Sequence, residues 1–220
     1  MEPLAGLAIR ERLAMEISLG GHGHEVSSHA SHIDEEGKVR IGMLFYVIVD
    51  VMLALFMVSA YIFLRASNVN DLWFPTGMKN IDLVQPTIQT GLLVASGLFF
   101  ILAHWAVRHG RGGLVKLGVA AGAVLWIVTL IGNIQYMGHL PFTQSGGGFA
   151  SMYVLFTGYH IYHLLFGVIM VIGLTVRSFQ GRYTQEKHLG ITVIGYYWYW
   201  TVLFGIVGYL LPIMLPGPLH

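Results

Sequence analysis

Five long apolar runs dominate this chain, near Ile41 to Leu64, Val84 to Val107, Leu114 to Met137, Ala150 to Val176 and Leu189 to Leu215, each bounded by charge, glycine or proline. At about 1.5 Å of helical rise per residue, every run is long enough to cross roughly 30 Å of hydrocarbon. The expected fold class is therefore all-α: a polytopic membrane helix bundle with five transmembrane helices. Composition agrees, since 55% of the 220 residues are hydrophobic and only 10% are charged, which suits a bilayer as solvent better than water. The third run carries Lys116 and Asn133, but Lys116 is near enough to its end to snorkel.

The formal charge is +1 and gives no reason to expect nucleic acid as a partner, so the informative quantity is where the basic residues sit. With five crossings, Arg10, Arg12, Lys38, Arg40, Arg108, Arg111, Lys116, Arg177, Arg182 and Lys187 share the N-terminal side, and only Arg65 and Lys79 fall opposite. That asymmetry predicts a cytoplasmic N-terminus and an external C-terminus. Residues 1–40 read as a cytoplasmic tail, with a short amphipathic helix over Glu2 to Leu19 and a Gly/Ser/His-rich tether over Gly20 to Gly37, ahead of a membrane domain at 41–220. The tether's His22, His24, His29 and His32 suit a soluble linker better than a metal site. The first forty residues lack a basic segment followed by an apolar run and a cleavage site, so a removable signal peptide is not expected. The chain has no cysteine, which excludes disulfides, thiolate metal sites and iron–sulfur ligation.

Among the polar residues Asp50 stands out. Nine positions into the first run, it lies about 13 Å below the boundary, where a carboxylate costs on the order of 2.5–3.5 kcal/mol to insert. It must face the protein interior, find partners or stay protonated. Two roles are open to it, a hydrogen-bonded packing residue or a proton-handling group. Counting along the helices puts it level with Ser96 and with Trp198 and its tyrosine neighbours, and puts His163 nearer the midplane. His160 and His163 share a face of the fourth helix with Phe156 and Gly167; that spacing suits either one metal ion or structural hydrogen bonds to a neighbouring helix. Tyr196 to Trp200 resemble an interfacial belt in composition, yet begin seven residues into the fifth helix, a depth that favours packing between helices or against lipid tails. Gly118 and Gly122 form a small-residue pair on the third helix, loosely matched by Gly91 and Ala95 on the second.

From Ile41 onward these residues resemble subunit III of the haem-copper cytochrome oxidases in its short bacterial form. The most specific piece is Thr157-Gly158-Tyr159-His160-Ile161-Tyr162-His163-Leu164-Leu165-Phe166-Gly167, similar to a TGxHxxHxxxG signature. His104-Trp105-Ala106-Val107-Arg108, Gln135-Tyr136, His188-Leu189-Gly190 and Tyr197-Trp198 match further pieces, and Asp50 stands where the family usually has glutamate. Where the family often reads Tyr-Trp-His-Phe-Val-Asp, this chain has Tyr197-Trp198-Tyr199-Trp200-Thr201-Val202, losing a histidine and a carboxylate. The resemblance implies an accessory, metal-free subunit of a respiratory terminal oxidase in a bacterial plasma membrane. Such a subunit has no catalytic residues of its own, packs against subunits I and II, which carry the haem and copper, binds phospholipid between its helices and supports proton uptake. On this reading Asp50, His160 and His163 are the polar residues of interest, and His104, Trp105, Gly167, Tyr197 and Trp198 serve helix packing or the lipid cleft. Alternatives are the related subunit of nitric oxide reductases, a haem-binding anchor using His160 or His163 with His104, and a small proton-coupled transporter centred on Asp50.

Overall fold

The structure, a computed structural model, describes residues 35–67, 73–75, 77 and 82–215 with their side chains. The expectations for residues 1–34, including the four tail histidines, lie outside that set. Five helices follow in order: α1 (Pro3–Ala66), α2 (Val84–Arg108), α3 (Gly112–Gly138), α4 (Gly148–Phe179) and α5 (Leu189–Met214). Each contains a segment long and apolar enough to span a membrane, that of α1 being Glu35–Ala66, and the described residues contain no strand. The all-α, five-span expectation is met. Contacts divide the chain into a unit of residues 1–42 and a unit of residues 43–220, and the bundle lies in the second.

Within that unit, α1 buries a single stripe, Asp50, Ala54, Met57 and Tyr61, at the alternating four- and three-residue spacing of one helical face. Its other faces expose Phe45, Val49, Phe56 and Phe63, as a helix bordering lipid tails would. The stripe packs into an aromatic cluster with Trp73, Phe149, Tyr153, Phe156 and Phe204. Trp73, in the connection after α1, is 1% exposed; its ring meets Tyr61 and Phe149 edge-on, and its carbonyl accepts the N–H of Phe149 at 2.9 Å. At the same end of the bundle, the Tyr61 hydroxyl donates to the carbonyl of Leu215 at 2.9 Å and ties α1 to the end of α5.

Helices α2 and α3 approach closely because Gly118 lacks a side chain: a Cβ there would meet the carbonyl oxygen of Phe99 at 2.7 Å and the Cβ of Ala103 at 2.9 Å. Gly122 lies similarly over Ser96, whose hydroxyl donates to the Gly122 carbonyl at 2.9 Å. The small pair on α3 thus does bring two backbones together, but its counterpart on α2 is Ser96 to Ala103. Gly91 faces open space, so the Gly91/Ala95 match is corrected. The far ends of α2 and α4 share one termination. Gly110 and Gly181 adopt φ of +66° and +69°, and the next residues, Arg111 and Arg182, donate back to the carbonyls of Ala106 and Arg177. This is the Schellman arrangement, in which glycine accepts the left-handed turn without steric cost.

Candidate functional site

A carboxylate in a hydrocarbon-embedded helix needs donors, and Asp50, 6% exposed, receives them from two other helices. The Tyr159 hydroxyl of α4 donates to Oδ1, and the Trp200 indole N–H of α5 donates to Oδ2. His163 of α4, fully buried, places Nε2 at 2.7 Å from Oδ2. Its other nitrogen, Nδ1, lies 2.8 Å from the carbonyl oxygen of Tyr159. A carbonyl can only accept, so Nδ1 carries a proton. Nε2 then either donates, as imidazolium facing carboxylate, or accepts from a protonated Asp50. Both forms place one proton between the two residues and leave the pair with no net charge, the condition under which a buried acid and base are tolerated together.

A shell of aromatic donors holds this pair in place. The Tyr197 hydroxyl of α5 donates to the carbonyl of His163 at 2.7 Å, and the Trp126 indole of α3 donates to the carbonyl of Leu164 at 2.9 Å. The Trp126 ring occupies the space a Cβ on Gly167 would need. The Trp198 indole donates at 3.1 Å to Ser96, which bonds on to Gly122, and its ring stacks on Phe100 with centroids 4.4 Å apart. Tyr197 and Trp198 are each 1% exposed, so these two of the five aromatic residues pack between helices.

Several expectations change. Asp50 does not reach Ser96 or Trp198, which bond each other, and it meets His163 directly. Depth counted from the first apolar residue misplaces the pair because α1 and α4 both continue past their apolar runs, α1 beginning well before Ile41 and α4 running from Gly148 to Phe179 with His163 midway along it. His160 does not join His163. Its ring turns to α5, where a Cβ on Gly205 would meet it at 2.9 Å. His104 lies 3.3 Å from the Tyr199 hydroxyl, towards the other end of the bundle. Trp105 is 41% exposed, stacked on His109 with the Arg111 guanidinium 4.9 Å above its ring, so it takes no part in internal packing. Among the described residues no three of His, Cys, Asp and Glu gather as metal ligands. Sequence reasoning did not single out Tyr159, Trp200 or Phe204. Tyr159 sits inside the signature and Trp200 inside the aromatic run, and only the three-dimensional meeting with Asp50 distinguishes them from their neighbours.

Comparison with known proteins completes the description. A family model for cytochrome c oxidase subunit III matches residues 18–213. The cytochrome c oxidase subunit 3 of Synechocystis sp. is 26% identical over 189 residues, covering 83% of this chain and 79% of that protein. Those of Marchantia polymorpha and Arabidopsis thaliana are 28% and 27% identical over 178 residues, covering 76% of this chain. The aligned region spans 66%, just under two thirds, of each plant protein.

Proposed function

The chain belongs to the cytochrome c oxidase subunit III family, the accessory subunit of haem-copper oxidases, and from that premise we propose that it packs on the catalytic subunit and supports its stability and proton uptake without binding a redox centre. On this proposal subunits I and II hold the haem and copper, phospholipid fills the grooves around the helices, and the complex sits in a bacterial plasma membrane with the N-terminus of this chain inside. The observation that carries the reading is the Asp50 cluster, in which one carboxylate draws α4 and α5 onto α1. We read it as a clamp that gives the subunit a fixed shape to present to its partner. The haem-anchor alternative fits poorly with His163, whose two ring nitrogens are already engaged by Asp50 and Tyr159.

Asp50→Asn tests the clamp. The amide keeps the shape but cannot accept from Trp200 at the same position from which it donates to His163, so one partner is left unsatisfied at a cost of about 1–3 kcal/mol. The variant is expected to assemble into the oxidase with reduced thermal stability and an unchanged pH profile of turnover. Normal assembly with a displaced pH profile would show instead that the pair handles protons.

A further inference from the structure

Away from the Asp50 cluster, the half of the bundle nearest the 139–147 connection and the C-terminus forms a partly open cavity of about 60 Å³, with α2, α3, α4 and α5 all contributing to its wall. Its lining is polar for a membrane interior and includes Gln89, Asn133, Tyr136, His160 and Tyr209. Most of these groups are partly satisfied within the protein: the Asn133 amide donates to the carbonyl of Thr129 at 2.9 Å, Tyr136 pairs with Tyr153 at 2.9 Å, and Tyr209 pairs with Thr87 at 2.8 Å. Two atoms are not. Gln89 Oε1 and His160 Nε2 are both buried from solvent and have no protein partner, and Gln89 as a whole is only 6% exposed. An unpartnered polar atom in a hydrocarbon surrounding costs several kcal/mol, so two of them on one cavity call for a ligand that can hydrogen-bond to both.

The backbone makes room for these two side chains. A Cβ on Gly132 of α3 would occupy the position of the Gln89 amide, and a Cβ on Gly205 of α5 would meet the His160 ring at 2.9 Å. The space is therefore built around the groups that lack partners. At the roughly 30 Å³ that a water occupies in the liquid, the volume of about 60 Å³ holds about two waters. Polar groups from four helices can supply the two to four hydrogen bonds each water requires. A metal ion would have only one imidazole to bind on this wall.

We propose that this cavity is a hydration site, a small water cluster that completes the hydrogen bonding of Gln89 and His160 and keeps His160 in exchange with the aqueous phase on the C-terminal side. Phe204 forms part of its wall. The Phe204 ring lies 6.1 Å from that of His160 and 5.8 Å from that of His163, so one phenyl group separates the water from the Asp50–His163 pair. The hydration site stands on its own cavity and does not depend on the role assigned to Asp50.

The absence of native cysteine gives a direct test in the assembled oxidase, by reaction of single cysteines in this subunit with Ag⁺, an ion of about the size of a water. Protection from later N-ethylmaleimide labelling, read from the mass of this subunit, reports the reaction. Thr157→Cys, on the cavity wall, is expected to react at least tenfold faster than Ile169→Cys, which is 73% exposed on the outer surface of α4. A Cβ on Gly208, also on the wall, meets no atom closer than 3.9 Å, so Gly208→Leu starts from a position with room for its first carbon and is chosen to fill the cavity. Adding it should slow the Thr157→Cys reaction about tenfold while the oxidase stays assembled. Equal rates at Thr157→Cys and Ile169→Cys, or no effect of Gly208→Leu, would show the cavity to be dry and overturn the proposal.

Discussion

Among single residues, Asp50 and His163 hold one proton between them, and the donors around them fix the pair in place. Such a pair is coupled: removing one member strands the other, whereas removing both with apolar replacements strands neither. Asp50→Leu alone leaves Tyr159, Trp200 and His163 facing a hydrocarbon side chain, and His163→Leu alone leaves the carboxylate without its neutralising partner. Each is expected to destabilise by about 3–5 kcal/mol, and the double variant by about 2 kcal/mol less than the sum of the two. Thermal unfolding in mild detergent measures this, and strict additivity would deny the coupling. Asp50 was legible in the sequence because a carboxylate in an apolar run demands an explanation. His163 was legible as one of two histidines in the signature. That they meet was not legible, since it depends on how far each helix continues past its apolar run and on which face α4 turns to α1. Tyr159 and Trp200 were hidden for a related reason: aromatic residues are common in membrane helices, and only a partner's position shows which of them donates.

At the scale of elements, the sequence carried most of the information. Five apolar runs became five helices, and α2 to α5 end within about three residues of their runs, because the hydrocarbon thickness and the helical rise leave little choice of length, whereas α1 starts at Pro3, well ahead of its run. What periodicity could not supply was the pairing of faces. Gly118 and Gly91 look alike in the sequence, each in a small-residue pair, yet Gly118 is pressed against the backbone of α2 and Gly91 faces open space. The contrast is a test within one hairpin. Gly118→Ala must push α2 and α3 apart and is expected to destabilise by about 1–3 kcal/mol, while Gly91→Ala, which meets nothing and relieves a flexible position, should be neutral or slightly stabilising. Equal effects on the melting temperature would mean that the close approach of α2 and α3 contributes nothing particular. Trp73 shows the complementary failure, because a tryptophan in a connection gives no sign in the sequence that it will be buried against Tyr61 and Phe149.

For the whole molecule, two properties reach beyond the fold. The first is orientation, proposed from the distribution of lysine and arginine. Ser145 and Gln180 are both exposed, in connections at opposite ends of α4, whereas the neighbouring Ser178 is buried at 3% and would label poorly. An impermeant maleimide applied to intact cells should modify Ser145→Cys and spare Gln180→Cys until the membrane is opened. Modification of Gln180→Cys alone would invert the topology. The second property is membership of a complex. The proposed packing on a catalytic subunit requires that part of the apolar outer surface face that neighbour. The most direct measurement is purification of the tagged chain from its native membrane in mild detergent, followed by an optical spectrum and metal analysis. The expected outcome is recovery with a larger subunit, a haem Soret band and stoichiometric copper, all lost when the chain is stripped from its partner. Recovery of the chain alone as a stable oligomer, or of haem that stays with the isolated chain and disappears on His160→Leu or His163→Leu, would contradict it.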